Sequence, residues 1–296
     1  MSSRINRCIK EGLITDYPSF LKDNIHYEVM MGSVAYGCSS DTSDMDIYGF
    51  CIPPKDILFP HLSGVIYGFD NSYPKFDQYQ KHHVIDKDAN KEYDFSIYNI
   101  IKYFRLVTDN NPNMIDSLFV SNWCVLHETK IGQMVREKRK IFLHKGCYWK
   151  FKGYAYSQMH KMITKNPEGK RKDIVEKYGF DIKFAMHTVR LLNECEQILS
   201  EHNIDLLRSR EQLKAIRKGE VPCEEIQRYF YEKESQLEKL YNESTLPYSP
   251  DEKLIKQLLI DCLEEHYGSL EDCISKNIDV ETVLNDIETL INKYRR

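Results

Sequence analysis

Two aspartates separated by one residue, Asp44 and Asp46, stand in the segment MMGSVAYGCSSDTSDMDIYGF, residues 30–50. The residues from 44 onward have strand-like character, and side chains in a strand alternate between its two faces. The two carboxylates are therefore expected on one face, with Met45 and Ile47 on the other. Neighbouring carboxylates repel one another unless a cation lies between them, and Mg²⁺ prefers such oxygen ligands together with phosphates and water. The spacing predicts a magnesium site.

A turn of the right size for a phosphate precedes this pair. Residues 28–31 have the character of a strand end, Gly32 permits a tight turn with close backbone approach, and Ser33 can begin a short helix. Backbone N–H groups and a hydroxyl at such a position bind anions. We therefore expect Gly32 and Ser33 to bind a polyphosphate whose metal is held by Asp44 and Asp46. The alternative is an ordinary polar loop, because Asp-x-Asp pairs are common in turns.

A glycine-serine pair followed after ten residues by DMD resembles the signature of the DNA polymerase β-type nucleotidyltransferase superfamily. In that superfamily a third acidic residue comes from a later strand. The segment EYDF at 92–95 offers Asp94 between two aromatic residues, with Asp86, Asp88 and Glu92 as competing candidates. The resemblance thus implies a site built from three acids.

The resemblance covers residues 27–200 and extends to the bacterial and phage branch that is predicted to act in RNA repair. The segments that carry it are GSVAYG, SDMDIYGF, YDFSIYNIIKYF, NPNMIDSLF, FLHKG, FKGYAYSQMHKM and DIKFAMHTVRLL. In many relatives the acidic residue after NPN is glutamate, whereas this chain has Asp116 there. The resemblance therefore assigns no role to that position.

What the resemblance implies is a two-metal mechanism. Asp44 and Asp46 would bridge two Mg²⁺ ions, for which Mn²⁺ could substitute. Asp94 would join one of these ions and lower the pKa of the attacking hydroxyl. In-line attack on the α-phosphate of an NTP donor would then release pyrophosphate and leave a nucleoside monophosphate ester on the acceptor.

The chain is predicted to be an α+β protein with a mixed first half and a helical second half. Runs of β-branched and aromatic residues predict strands at 26–31 and 46–52 and another within 82–95, and apolar residues at helical spacing predict a helix in SIYNIIKYFRLV, 96–107. Helical periodicity then predominates over 148–165, 180–201, 209–218, 223–243, 251–266 and 279–294. We expect a catalytic domain with a small mixed β-sheet and flanking helices at 1–145. An all-helical domain at 146–296 would cover the cleft for nucleotide and acceptor.

Lys152, Tyr156 and His160 recur every four residues and therefore share one face of the helix predicted over 148–165. This face could offer a cation, a hydroxyl and an imidazole to a triphosphate or a base, and we expect Lys152 and Tyr156 to bind the nucleotide. The alternative is a solvated outer stripe. The surrounding YWKFKGYAY, 148–156, interleaves aromatic and basic residues as base stacking requires, but most of these rings are expected to fill the core.

Lys183, His187 and Arg190 follow one another at spacings of four and three and share a second helical face. A guanidinium suits bidentate phosphate contact, and lysine supplies a point charge. We predict that all three bind the nucleotide. The alternative for Arg190 is an ion pair within the helix, because Glu194 lies four residues further on.

Composition excludes several classes of protein. The 296 residues carry a net charge of −4, which argues against indiscriminate nucleic-acid binding, although residues 136–177 hold 13 Lys and Arg against four Asp and Glu. Nine cysteines without a C-x-x-C pair indicate neither a disulfide framework nor a thiolate zinc site. The pair His82 and His83 is not favoured as a zinc site, since adjacent residues of a strand face opposite sides. No signal peptide or long apolar run is evident, so we expect a cytoplasmic protein without a membrane segment.

The leading interpretation is therefore an Mg²⁺-dependent nucleotidyltransferase that moves an NMP from an NTP onto a hydroxyl. The resemblance favours an RNA 3′ end, tRNA-like or broken, as the acceptor. A toxin-like protein nucleotidylyltransferase is the alternative within the enzymes. A nucleotide-binding sensor or inhibitor without turnover is the alternative outside them, although simple binding would not require three converging carboxylates.

Overall fold

The computed structural model describes residues 3–39, 44–65, 75–164, 169–273 and 280–294. Its five strands form one sheet and are β1 (Ile25–Met30), β2 (Met45–Cys51), β3 (Gln78–Asp86), β4 (Lys91–Asn99) and β5 (Val125–Glu128). The α-helices of these ranges are α1 (Arg4–Lys10), α2 (Gly32–Ala35), α3 (Lys55–Leu58), α4 (Ile100–Thr108), α5 (Pro112–Phe119), α6 (Lys130–Glu137), α7 (Cys147–Thr164), α8 (Lys170–Tyr178), α9 (Ile182–Glu201), α10 (Arg210–Arg217), α11 (Cys223–Glu243), α12 (Glu252–Tyr267) and α13 (Val280–Tyr294). The predicted α+β class is confirmed. None of the described helices is both long and apolar enough to span a membrane.

The strand order in the sheet is β3-β4-β2-β1-β5. The pair β2 and β4 is parallel, and the other three pairs are antiparallel. β2 and β4 occupy the interior of the sheet, so their backbones are hydrogen-bonded on both sides. This rigid centre carries the segments DMD and EYDF.

The two faces of the sheet pack against different parts of the chain. Ile47 and Phe95 belong to a core cluster with Ile5 and Cys8 of α1. Phe50 belongs to the larger cluster, which continues into the helices of the second half. Because strand residues alternate between faces, Asp46 lies on the same face as Phe50, beneath those helices. The predicted domain boundary near residue 145 stays a prediction.

Two local expectations from the sequence are wrong. Residues 96–99 belong to β4, and the helix that was expected over 96–107 begins only at Ile100. Asn99 marks this start, because its side chain accepts the Ile101 N–H as an N-cap. The helix α8 was not expected, since its residues are mostly polar and show little helical periodicity. The long helices of the second half follow the predicted ranges within one or two residues, apart from residues 165 and 279, which lie outside the described ranges.

A buried histidine pair joins the sheet to α12. His26 of β1 is 9% exposed, with its Nδ1 2.9 Å from Oγ1 of Thr129 and its Nε2 3.1 Å from Nδ1 of His266. Burial, followed by the charges of His266 and His127, lowers the pKa of His26 to about 3. The native protein therefore keeps this imidazole neutral at pH values where an unfolded chain would protonate it.

We expect this pair to make the protein less stable in mild acid. Below a pH of about 6.5 the unfolded chain binds a proton at His26 that the folded protein does not bind, so stability is lost as the pH falls from there toward 3. The cost from His26 alone is about 2 kcal/mol at pH 5. Urea denaturation at pH 7 and pH 5 measures it, and His26→Gln should reduce the difference between the two values. An equal pH dependence in both proteins would contradict the prediction.

Candidate active site

Asp46 and Asp94 lie side by side on neighbouring strands. The parallel pairing of β2 and β4 places Asp46 directly opposite Asp94. Alternation along the strands then puts both carboxylates on the face that the helices cover. Asp44 directly precedes β2 and is exposed to solvent. The structure thus brings Asp46 and Asp94 together at one end of the sheet, with Asp44 within electrostatic range of Asp46.

Gly32 lies directly against one of these carboxylates. The N–H of Met31 donates a 2.8 Å hydrogen bond to the carbonyl oxygen of Asp46, which fixes the turn beside β2. A Cβ atom on Gly32 would overlap Oδ2 of Asp46, and Gly32 has a φ of +62°, which favours glycine. Ser33 follows in the short helix α2 and is partly exposed. Gly32 therefore lies against the Asp46 carboxylate, and the binding of a polyphosphate by Gly32 and Ser33 stays a prediction.

We expect Gly32→Ala to reduce any activity of this site by at least about 100-fold. The added methyl group would displace the Asp46 carboxylate and would strain a backbone that needs positive φ. Gly12→Ala is the matched control, because Gly12 also has positive φ but its Cβ would meet no atom within 4 Å. Activity and thermal stability of the two variants should be measured together. Near-normal activity in Gly32→Ala would contradict the close packing of turn and carboxylate.

Burial and the neighbouring acids both disfavour the ionised form of Asp46. Burial, followed by the charges of Asp94 and Asp44, raises the pKa of Asp46 to about 6. The charge of Lys183 acts in the opposite direction. Near neutral pH the site thus holds a carboxylate whose negative charge is poorly compensated by the protein. A cation that binds here would relieve this cost.

The strand β3 bulges beside Asp94. Its register with β4 shifts between Lys81 and Val84, and His83 has a φ of +57°. The His83 N–H donates a 2.8 Å hydrogen bond to Oδ1 of Asp94, and Nδ1 of His82 lies 3.6 Å from the same oxygen. The His83 imidazole pairs with Glu92. The expectation that the two histidines face opposite sides is therefore wrong, because the bulge breaks the strand alternation.

A cluster of cations faces the acids from the helical half. Lys183 of α9 is half-buried, and its pKa is lowered by burial and then by Arg217 of α10 and Arg171 of α8. Asp44 opposes this shift, so the lysine lies within electrostatic range of the acids. Burial and the surrounding cations lower the pKa of His187 to about 3, which leaves its imidazole neutral. Among the described residues, no acid forms an ion pair with Lys183 or Arg217.

Arg190 is buried and does not lie on the solvent-facing side of the cation cluster. It is 2% exposed, and its Nη1 atom is paired with Asp116 and lies 3.0 Å from Oε2 of Glu194. The ion pair with Glu194, the alternative drawn from the sequence, is confirmed. Because the guanidinium is almost fully buried, a phosphate in the cleft could not reach it without a rearrangement of the core, so the structure favours a positioning role for Arg190.

The Arg190 cluster is connected to the glycine-serine turn through Tyr36. The guanidinium lies 4.3 Å from the centre of the Tyr36 ring, and the Tyr36 hydroxyl donates a 2.9 Å hydrogen bond to Oδ2 of Asp116. Tyr36 follows α2 directly and is buried. The cluster therefore fixes α2, and with it Gly32, against α5 and α9.

Lys152 and Tyr156 lie beside α11. The Nζ atom of Lys152 is 3.3 Å from Oε1 of Glu234, and the Tyr156 ring lies 6.2 Å from the Phe230 ring. Tyr154, on another side of α7, is instead within electrostatic range of Arg190. A nucleotide contact for Lys152 and Tyr156 stays a prediction.

The basic segment 136–177 is partly neutralised by ion pairs, most of them with acids outside the segment. Its described ion pairs join Arg136 to Glu128, Lys138 to Asp261, Lys150 to Asp109, Lys152 to Glu234, Arg171 to Asp181 and Lys172 to Glu176. The net charge counted along the sequence therefore overstates the charge presented to a ligand. Lys165 lies outside the described residues.

A comparison with protein families matches residues 10–261 to the RNA repair pathway DNA polymerase beta family. The chain belongs to this family. The match spans the sheet, the acids and the cation cluster, and it ends within α12. A comparison with curated proteins found no match.

Membership of the RNA repair pathway DNA polymerase beta family raises the question of whether the acidic residues can bind a metal ion. Within the described part of the chain, no three His, Cys, Asp or Glu side chains form a ready-made metal site. Mg²⁺ does not need one, because it binds through one or two carboxylates and takes substrate phosphates and water as its other ligands. The paired Asp46 and Asp94, with Asp44 at the edge, fit that pattern of ligation.

Sequence reasoning missed two of the cations in this family member. Arg171 lies within the basic segment 136–177, which gave a weak signal for it. Arg217 had none, because nothing in its neighbourhood shows that α10 packs near Gly37 and Cys38, next to α2. Long-range packing alone brings these residues beside Lys183.

Proposed function

We propose that this protein transfers an NMP from an NTP donor to the 3′ hydroxyl of an RNA. Membership of the RNA repair pathway DNA polymerase beta family supports the reaction class. The observation that carries the proposal is the parallel register of Asp46 with Asp94 beside Gly32, which concentrates negative charge at one end of the sheet. Cations on α8, α9 and α10 lie across from that charge.

The NTP donor is assigned to the space between the glycine-serine turn, which lies beside the acids, and the cations on the helices. Gly32 and Ser33 approach the polyphosphate through backbone and hydroxyl groups, and Lys183, Arg171 and Arg217 neutralise its charge. The neutral imidazole of His187 can donate or accept a hydrogen bond there without adding charge. Arg171 is already paired with Asp181, whereas Lys183 and Arg217 form no ion pair among the described residues, so the donor would supply the counterion for those two.

Asp44, Asp46 and Asp94 would hold Mg²⁺, or Mn²⁺ in its place, and two such ions would supply charge stabilisation for attacking and leaving oxygens. The RNA 3′ oxygen forms a bond to the α-phosphorus while the bond from that phosphorus to the β-phosphate oxygen breaks. Pyrophosphate leaves with the electron pair of the broken bond. The hydroxyl proton passes to the carboxylates at this end of the sheet, where Asp94 accepts a hydrogen bond from the His83 N–H.

The test is transfer of a label from the α-phosphate of an NTP in the presence of Mg²⁺. RNA with a free 3′ hydroxyl, RNA with a blocked 3′ end and a protein extract are supplied in parallel. Label on the free 3′ end alone supports the proposal. Label on protein would replace it with protein nucleotidylylation. Nucleotide binding without any label or pyrophosphate release, for every NTP, would replace it with a sensor or inhibitor.

Arg217→Gln should raise the KM for the NTP by about tenfold with a smaller effect on kcat, because a charge-assisted hydrogen bond contributes roughly 1.5 kcal/mol or more. Arg228→Gln is the matched control, since Arg228 is an exposed arginine on α11. Steady-state kinetics with varied NTP give both constants. Equal KM values in the two variants would remove Arg217 from the donor site.

A further inference from the structure

Exposed aromatic side chains gather along α7 and the segment after α11. Trp149 is 60% exposed, Tyr156 56% and Tyr248 72%, although large apolar side chains favour the interior. The Trp149 and Tyr241 rings lie 6.0 Å apart, and the Tyr241 and Tyr248 rings 6.4 Å apart. Trp149, Tyr241 and Tyr248 thus form a continuous aromatic surface, which continues along α7 to Tyr156.

Lysine ammonium groups lie on the same rings. The Nζ atom of Lys145 is 4.4 Å from the Tyr248 ring centre and 5.5 Å from that of Tyr241. The Nζ atom of Lys152 is 5.4 Å from the Trp149 ring centre. Among the described residues, Lys145 is paired with no acid, whereas Lys152 is paired with Glu234. Lys145 is only 4% exposed, so its ammonium lies beneath the rings, and the surface presents mainly aromatic faces to a ligand.

Gly153 leaves an opening in the middle of this surface. Trp149, Gly153 and Tyr156 follow one another at spacings of four and three, so they share one face of α7. A Cβ at Gly153 would meet no atom within 4 Å, and its φ is not positive. Nothing in the described chain therefore requires glycine here, although glycine weakens a helix interior relative to alanine. The missing side chain leaves room for a ligand to approach the helix between the two rings.

We propose that Trp149, Tyr156, Tyr241, Tyr248 and the gap at Gly153 form a stacking surface for single-stranded RNA. Proteins that bind single strands present aromatic platforms on which successive bases stack, and the exposed rings of Trp149, Tyr156 and Tyr248 offer such a platform. Trp149 and Tyr156 are seven residues apart, about 10 Å along the helix, which is room for two or three bases. The proposal deepens the proposed function, on which it rests for its choice of RNA as the acceptor.

The chain holds only two tryptophans, Trp123 and Trp149, so fluorescence can report on this surface. Trp123→Phe leaves Trp149 as the single reporter, and Trp149→Phe leaves Trp123 as the matched control. Both variants also carry Asp46→Asn, so that no turnover occurs. We expect a single-stranded RNA oligonucleotide to quench the fluorescence of the first protein and to leave that of the second unchanged. Equal quenching in both, or quenching by duplex RNA alone, would overturn the proposal.

Binding affinity provides the second measurement. Tyr248→Ala should weaken single-stranded RNA binding by about tenfold, as expected for the loss of one stacked base. Gly153→Ala should weaken binding to a similar degree while the melting temperature stays the same or rises. Tyr294→Ala is the control, because Tyr294 is a 77% exposed tyrosine on α13. Unchanged affinity in both surface variants would overturn the proposal. It would also be overturned if, in a competition experiment, only a protein displaced the bound RNA.

Each of the two proposals can be overturned without overturning the other. Label transfer to RNA without any response of Trp149 would overturn the stacking surface and leave the proposed reaction intact. Quenching by single-stranded RNA without label transfer would support the stacking surface and overturn the reaction.

Discussion

Asp46→Asn is expected to reduce nucleotidyl transfer by at least about 1,000-fold while the protein remains folded. Asp46 is the acid that contacts Gly32 and lies opposite Asp94, so its charge is at the centre of the site. Asparagine has nearly the same shape but no charge, and it is a poorer metal ligand. Single-turnover transfer from α-labelled NTP measures the loss, and Asp44→Asn should follow it in the same direction.

The variant should also change stability in a direction that a simple packing defect would not. Because burial and neighbouring acids raise the pKa of Asp46 to about 6, the protein without a bound cation loses stability as the pH rises from about 4 to about 6, and this loss is complete above that pH. Asp46→Asn should therefore be more stable than the parent at pH 7.5, by about 1 to 3 kcal/mol. Mg²⁺ should raise the melting temperature of the parent and not that of the variant.

Asp88→Asn is the matched control for both measurements. Asp88 lies exposed in the turn between β3 and β4, close in sequence to Asp94 but outside the group of acids. It should retain activity and its response to Mg²⁺. Full activity in Asp46→Asn, or equal loss in Asp88→Asn, would contradict the assignment of the site.

The central part of the site could be predicted because its determinants are local. Gly32 and Asp46 are fixed by backbone rules: a positive φ at one, and strand alternation at the other. Their separation along the chain is short, so spacing alone indicates that they meet. Asp94 was predicted as the third acid from the family resemblance. In the structure, the parallel register places it opposite Asp46.

The helical wall of the site could be predicted only in part. Periodicity groups Lys183, His187 and Arg190 on one face, but it does not show that this face changes from half-buried to buried within two turns. Nor does it show which face of α7 meets α11. Both features depend on packing between residues far apart in the sequence, and a sequence pattern does not record that packing.

Arg190→Ala is expected to destabilise the fold by about 3 to 5 kcal/mol, rather than to weaken nucleotide binding alone. The substitution leaves two buried acids, Asp116 and Glu194, without their cation. Burial already raises the pKa of both acids, so in the variant they must take up protons or draw water into the core. Urea denaturation at pH 7 measures the loss.

The exposed pair Arg208 and Glu201 provides the control for Arg190→Ala. Arg208→Ala removes the same side chain from a pair that is nearly half exposed, so it should cost less than about 1 kcal/mol. In a second variant, Arg190→Met combined with Glu194→Leu should recover part of the stability, because it removes an acid together with the cation. Since Tyr36 connects this cluster to α2, the remaining folded protein should also show a raised KM for NTP. A raised KM with an unchanged free energy of unfolding would return Arg190 to the role of a direct phosphate ligand.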